Sequence, residues 1–428
     1  MKQQEKNYAL PIAMMIALFF MISFVTGFAN PMGVIVKNQF GASNLLSQLG
    51  NAANFIAYAF MGIPAGILLS KVGYKKTALI AIIVGFVGVG IQYLSGVAES
   101  FVVYLIGAFV AGFSMCMLNA VVNPMLNTLG GGGNKGNQLI QFGGSINSIG
   151  ATIVPVLVGY LMGTNVAERT IAKANPALFL AMGIFAVVFI VLSLVKIPEP
   201  HMEAASKSKT KDKYSALSFR HFILGAVAIF IYVGVEVGIP NIANLFMTSE
   251  LDANGLAIDP TIAGTVVGTY WFLMMIGRLV GASIGGKFSS KAMLTFASTL
   301  GLVFVLLAIF SPITTQVSMP VFQSDISFGM AEVPIGIMFL ILCGLCTSIM
   351  WGGIFNLAVE GLGKYTAMAS GFFMVMVSGG GILPLIQGYV ADSFNYLASF
   401  WVVVAGLAFL LYYALIGSKN VNKDIKVD

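Results

Sequence analysis

Apolar runs long enough to cross a bilayer recur twelve times along this chain, at residues 9–36, 45–70, 77–97, 101–129, 138–163, 176–195, 221–248, 262–286, 292–312, 334–358, 365–390 and 396–417. A crossing helix needs about 20 mostly apolar residues, and a helix satisfies its own backbone polar groups where no water can. The pattern therefore predicts an all-α membrane protein with twelve transmembrane helices, called spans one to twelve below. Composition agrees: 58% of residues are hydrophobic and 9% charged, with a mean hydropathy of +0.93. A soluble domain carries about 25% charged residues. The first run is too long for the core of a cleavable signal, and no small-residue cleavage site follows it.

Charge then orders the spans. The one long charged stretch, residues 196–220, includes Lys207, Lys209, Lys211 and Lys213 and falls between spans six and seven. It divides the chain into an N-terminal six-helix bundle (1–195), a linker (196–220) and a C-terminal six-helix bundle with a short tail (221–428). Placing both termini in the cytoplasm puts 18 of the 22 basic residues inside, while Glu250, Asp252, Asp259, Asp325 and Glu332 fall outside. Lysine and arginine bias of this kind sets orientation. The net charge of +6 is thus a consequence of topology and implies no nucleic-acid partner. Cys343-Gly344-Leu345-Cys346 has the spacing of a metal or redox pair but lies mid-span without a second pair, so neither metal nor cofactor is expected.

Within the spans, the few polar residues point to a wet interior. Glu236 stands in a run from Phe222 to Phe246 with no other charge, and a carboxylate at bilayer depth costs roughly 2.5–3.5 kcal/mol on insertion scales. Asn119, Asn123 and Asn127 follow at i, i+4 and i+8, on one face of span four. Asn30, Asn51 and Asn54 lie in spans one and two. Span five carries Gln141, Ser145, Asn147 and Ser148; span seven adds Asn241 and Asn244 beside Pro240, and span ten adds Trp351 and Asn356. One buried asparagine is most simply an interhelical hydrogen bond, worth about 0.6 kcal/mol. Amides spread over many helices, with one acid and no base at mid-depth, favour a neutral polyhydroxylated solute, because each amide offers two donors and an acceptor. Tyr232, Tyr270, Trp271 and Trp351 are candidate stacking faces for a pyranose. Arg278 reads as lying near the cytoplasmic end of its helix. The tetraglycine Gly130–Gly133 lacks the ending of a phosphate-binding loop and reads as a turn.

Six plus six helices around a basic linker is the layout of the major facilitator superfamily, and Gly62-Ile-Pro-Ala-Gly66 through Ser70-Lys71-Val-Gly73-Tyr-Lys75-Lys76 resembles its loop signature between spans two and three. Ser70 stands where that signature has an aspartate, which weakens the usual charge lock of the cytoplasmic gate, here assigned to Gly66, Lys71, Gly73, Lys75 and Arg278. Phe28-Ala29-Asn30, Asn123-Pro124, Asn147-Ser148-Ile149-Gly150, Tyr232 to Val237 and Gly379 to Pro384 make the chain similar to the fucose:proton symporter family, especially its glucose/galactose branch. The resemblance implies a monosaccharide transporter working by alternating access about a midplane site.

Two carboxylates that the resemblance leads one to expect in the N-terminal half are absent: their positions read Val34 and Asn119, and an expected glutamine is Asn51. Proton coupling is therefore not carried over with the fold. The reading is a monomeric transporter of a neutral hexose in the bacterial inner membrane. Sugar contacts are assigned to Asn30, Asn51, Asn119, Asn123, Gln141 and Asn147 of the first half, and to Glu236, Asn241, Asn244, Trp351 and Asn356 of the second. Glu236 is the candidate site for a coupling ion, Na⁺ or H⁺, with uncoupled transport as the third possibility. Rival readings are a larger solute, such as a muropeptide or drug, and a membrane sugar sensor that does not transport. An enzyme is disfavoured, since no paired acids or nucleophile set occurs at depth.

Overall fold

A computed structural model of the chain describes residues 8–40, 49–161, 170–199, 214–251, 254–323, 327–422 and 424–427. Each of the twelve apolar runs is helical over most of its described residues. Span one is Ala9–Phe40, spans two and three share the element Leu49–Val97, and spans four to six are Phe101–Leu129, Gly133–Leu161 and Asn175–Leu194. Spans seven to nine are Arg220–Thr248, Pro260–Ile284 and Ser290–Phe310. The last three contain interruptions or a changed helical pitch. Span ten is Ile335–Ser348 and Met350–Val359, span eleven is Thr366–Val375 and Gly379–Ser393 joined by a 3₁₀ turn, and span twelve is Tyr396–Tyr412 continuing into a π-helical turn.

Spans two and three are divided at Gly73, whose φ of 85° and ψ of 177° break the helix. Only glycine takes that backbone without strain. The divide is locked from a distance. The Glu199 carboxylate, beyond the end of span six, accepts hydrogen bonds from the backbone N–H groups of Tyr74 (2.7 Å) and Lys75 (2.9 Å). It thereby caps orphan donors at the start of span three, where an acid also complements the helix dipole. The Lys75 ammonium donates in turn to the carbonyls of Ser193 and Val195 at 2.8 and 2.7 Å. A Cβ on Gly73 would lie 2.6 Å from the Glu199 carboxylate. Ser70, in the position of the signature aspartate, turns its hydroxyl onto the carbonyl of Gly66 in its own helix.

Among the described residues the all-helical expectation has one exception. Gln316–Phe322 (β1) and Phe328–Pro334 (β2) form an antiparallel hairpin between spans nine and ten, with Gln316 opposite Pro334 and Phe322 opposite Phe328. Met319, Val321, Ala331 and Val333 face inward, while Ser318, Pro320, Met330 and Glu332 face outward. This is the period-two alternation of a half-buried sheet. The hairpin rests on span eight: Phe322 donates its N–H to the Thr269 hydroxyl (2.8 Å), and its ring stacks on Phe272 at 4.6 Å.

Because successive helices alternate in direction, the helix ends beside Lys75, Lys135, Lys287 and Lys364 gather on one side of the bundle, termed the basic end. There the two halves meet. Span two packs on span eleven, and span five packs on spans eight and ten. Glycine permits the closest approach: a Cβ on Gly66 would sit 3.0 Å from the Gly371 Cα, and one on Gly371 would sit 2.6 Å from both the Gly66 Cα and the Gly62 carbonyl. The tail folds back onto the second half, where Arg220 and Lys364 donate backbone N–H groups to the Asn422 side chain and the Val427 carbonyl.

Candidate functional site

Proline placement generates two of the site's contacts. A proline inside a helix leaves the carbonyl four residues earlier without its donor. For Pro124 in span four that carbonyl is Ala120, and it accepts from the Ser370 hydroxyl of span eleven at 2.9 Å, across the two halves. For Pro240 in span seven it is Glu236, whose carbonyl accepts from the Tyr270 hydroxyl at 3.1 Å. The same hydroxyl lies 2.9 Å from that of Thr347 in span ten. A carbonyl freed in this way beside a carboxylate would suit a cation, but here the Tyr270 hydroxyl satisfies it.

Two of the three amides of span four, Asn123 and Asn127, reach the second half. The Trp351 indole N–H donates to the Asn123 side-chain oxygen at 3.0 Å. Asn127 donates to the side-chain oxygen of Asn356, which passes the chain on to Ser290 at 2.8 Å. Asn119 donates to the Tyr58 hydroxyl of span two at 2.8 Å, and Asn123 donates to the Asn119 backbone carbonyl at 2.8 Å. From span five, Gln141 donates to the Ile349 carbonyl at 2.7 Å, where span ten is interrupted, and Gln138 donates to the Ala282 carbonyl at 3.1 Å. Asn147 lies farther along span five and donates a longer bond, 3.4 Å, to the Phe19 carbonyl of span one. The seam is therefore neutral and amide-built, with its donors directed at carbonyls and other amides.

Among the described residues of the seam, charge enters at Arg278 and Glu236. Arg278 Nη2 lies 3.1 Å from Glu236 Oε1, with the side chains 14% and 12% exposed. The guanidinium also donates to the Ser148 hydroxyl at 2.6 Å and, at 3.4 Å each, to the carbonyls of Gly144 and Ser348. Arg278 thus joins spans seven, eight and ten of the second half to span five of the first. This corrects the reading of Glu236 as isolated and of Arg278 as a group of the cytoplasmic end. Helical side chains lean toward the helix N-terminus, which for span eight means away from the basic end and toward mid-depth.

Other sequence candidates sort by position. Tyr232 and Tyr270 are fully buried and present no open stacking face, whereas Trp271 is 37% exposed. Asn241 is exposed and Asn244 half-buried. Asn30 and Asn51 lie outside the residues whose side chains are described. Of the gate residues, Gly66 and Gly73 are buried at close approaches, Lys71 is exposed, and Lys75 binds carbonyls within its own half. Tyr58, Glu199, Ser290 and Ser370 were not singled out from the sequence. For Ser370 the signal was available, in the orphan carbonyl that Pro124 must create.

Two helical halves joined by a breakable polar seam around a buried charge pair define a membrane carrier. The chain matches the Major Facilitator Superfamily over residues 12–383 and belongs to it; it is a transporter and not an enzyme. It is 28% identical to the glucose/galactose transporter of Brucella abortus over 97% of this chain and 96% of that one. It is 24% identical to the L-fucose-proton symporter of Escherichia coli, over 91% and 89% of the two chains. Its fold superposes on the transporter FucP in the outward conformation with a TM-score of 0.80 at 20% identity, covering 96% of this chain and 100% of that one.

Proposed function

We propose that the protein carries a neutral monosaccharide, a hexose, across the bacterial inner membrane by alternating access, with the basic end and both termini on the cytoplasmic side. The units that rock are 1–195 and 221–428, linked through 196–220. The observation that carries this reading is the seam itself. Asn123–Trp351, Asn127–Asn356, Gln141–Ile349 and Ser370–Ala120 link the two halves at the basic end. Each is a neutral hydrogen bond that exchange with water can replace at a net cost of about 0.5–1.5 kcal/mol. Closing one end while leaving a polar, uncharged interior suits a solute with many hydroxyls and no charge.

Sugar contacts are assigned to Asn30, Asn51, Asn119, Asn147, Glu236, Asn241 and Asn244. Asn123, Gln141, Trp351 and Asn356 change partners when the seam opens and then present their amides and indole to the solute. Similarity to glucose/galactose and fucose transporters over almost the full length supports the substrate class. The test is counterflow of labelled D-glucose, D-galactose and L-fucose in proteoliposomes. Exchange of at least one sugar, blocked by excess unlabelled sugar, is the expected result. Exchange of a muropeptide or a lipophilic drug without any hexose would overturn the assignment.

A further inference from the structure

One helical turn nearer the basic end than the Asn123–Trp351 bond lies a second polar layer. Along span four, Asn127 follows Asn123 by four residues, and along span five Asn137 precedes Gln141 by four. Residues at i and i+4 share a helical face, about 6 Å apart along the axis at roughly 1.5 Å per residue. Facing Asn127 and Asn137 from the second half are Asn356, near the end of span ten, and Ser290, the first residue of span nine. All four side chains are uncharged, and both walls carry hydrogen-bonding groups.

The closed state uses this layer unevenly. Asn127, Asn356 and Ser290 are strung into one chain of hydrogen bonds. Asn137 is fully buried, yet among the described residues its side-chain oxygen finds no donor, and its nitrogen is directed at the Met293 thioether, 3.5 Å away. Sulfur is a weak acceptor, and a buried acceptor without a donor opposes the state that buries it. Gly352 leaves that oxygen uncovered: a Cβ there would lie 3.1 Å from it and 2.9 Å from the Gln141 amide nitrogen. An apolar side chain at 137 would seal this end better. An amide suits a position that acts when the end is open.

We propose that Asn127, Asn137 and Ser290, together with Asn356, form a second sugar station at the cytoplasmic mouth, distinct from the midplane contacts and filled only when the basic end is open. Asn127 and Asn137 offer donors and acceptors from one wall, Asn356 and Ser290 from the other, a neutral set that suits hydroxyls. Sugar leaving the midplane passes this layer before it reaches the cytoplasm. Closing the end joins Asn127 to Asn356 and therefore requires the station to be empty. A sugar lodged there holds the halves apart, so sugar accumulating in the cytoplasm slows further import.

This inference rests on the monosaccharide reading above, and one assay separates the two. The full-length protein is studied in right-side-out and inverted membrane vesicles, with equal pH and Na⁺ on both faces. Exchange of labelled D-glucose, D-galactose and L-fucose is followed as unlabelled sugar is raised on one face. A single midplane site gives a rise to a plateau from either face. The expected wild-type result is a plateau from the periplasmic face, and a rise followed by a fall from the cytoplasmic face. Asn137→Leu removes one hydrogen-bond partner and weakens the station roughly 5- to 150-fold, so the fall should move to higher sugar by that factor or vanish. A variant that altered only the balance between open and closed ends would change the rates from both faces and leave the shape of each curve alone. Should Asn137→Leu fail to insert, Ser290→Ala on the opposite wall should move the fall in the same direction. Plateaus from both faces in the wild type overturn the station alone. So does a fall that neither variant moves. No exchange of any hexose in either orientation overturns the transport reading and this inference with it.

Discussion

The two halves of the interior differ in kind. Span four and the basic-end portion of span five meet the second half through amides, whereas spans seven and eight bring together a carboxylate and a guanidinium. The difference follows from what each set of contacts must endure. Bonds between the halves are broken and remade in every cycle, and neutral hydrogen bonds are cheap to exchange for water. A buried ion pair is costly to separate, and this one lies within a single half, where rocking does not pull it apart. Arg278 is the point of overlap, charged toward its own half and a plain hydrogen-bond donor toward the other.

The comparison is most directly broken at the ion pair. Glu236→Ala leaves Arg278 uncompensated, and losing one partner of a buried pair typically costs about 3–5 kcal/mol. Hexose counterflow should disappear, and the unfolding midpoint in detergent should fall by more than for any amide variant. A midpoint shift no larger than that of Asn123→Ala would erase the distinction between the halves.

Gly371→Val comes next, because its side chain would collide with the Gly66 Cα and the Gly62 carbonyl, both 2.6 Å from the position of a Cβ. Overpacking of this kind costs about 1–3 kcal/mol, here charged only to the closed seam. The basic end should then stay open, so that a cysteine placed at Lys135 reacts faster with a membrane-impermeant maleimide supplied from that side. Unchanged labelling would show that spans two and eleven do not set the closure.

Asn119→Ala tests the neutral lining. Loss of one buried hydrogen-bond partner costs about 1–3 kcal/mol, or a roughly 5- to 150-fold weaker apparent sugar affinity, with expression retained. Normal affinity would remove Asn119 from the sugar site and leave it as a brace for Tyr58. The smallest effect belongs to Trp351→Phe, which deletes the indole N–H facing Asn123. At about 0.6 kcal/mol for an interhelical bond in a membrane, it should move the balance between open and closed basic ends by only about threefold, read by the same cysteine labelling.

The helical layout was legible because bilayer thickness writes itself into run length, and the face of Asn119, Asn123 and Asn127 was legible because three amides keep helical spacing. Arg278 was misplaced because position along a helix locates the Cα, while a long side chain acts several ångströms away. The hairpin was missed although Met319, Val321, Ala331 and Val333 alternate at the period of a strand; flanked by spans on both sides, so short a segment read as an outer loop. Glu199 was invisible for a different reason. It stands among linker charges, and only the turn at Gly73 reveals which backbone donors it serves. The interruptions at Ile349 and Met376–Ser378 fall in sequence as apolar as their surroundings, so composition gave no sign of them.

The Glu199 contact also determines how the two halves are held as one molecule. By pinning the end of the first half to Tyr74 and Lys75, it leaves residues 200–214 as the covalent bridge to the turn Ala216–Ser218, which packs on the second half. Fifteen residues reach roughly 50 Å when extended, at 3.3–3.6 Å each. By contour length alone the covalent connection sets no tight limit on how far the halves can separate, so it is the Glu199 contact that fixes where the first half ends. Scission between Lys207 and Ser208, with the two pieces made together in one cell, should leave a nicked carrier that assembles and exchanges hexose. Neutralising Glu199 should disturb the turn at Gly73 far more than cutting the chain eight residues later.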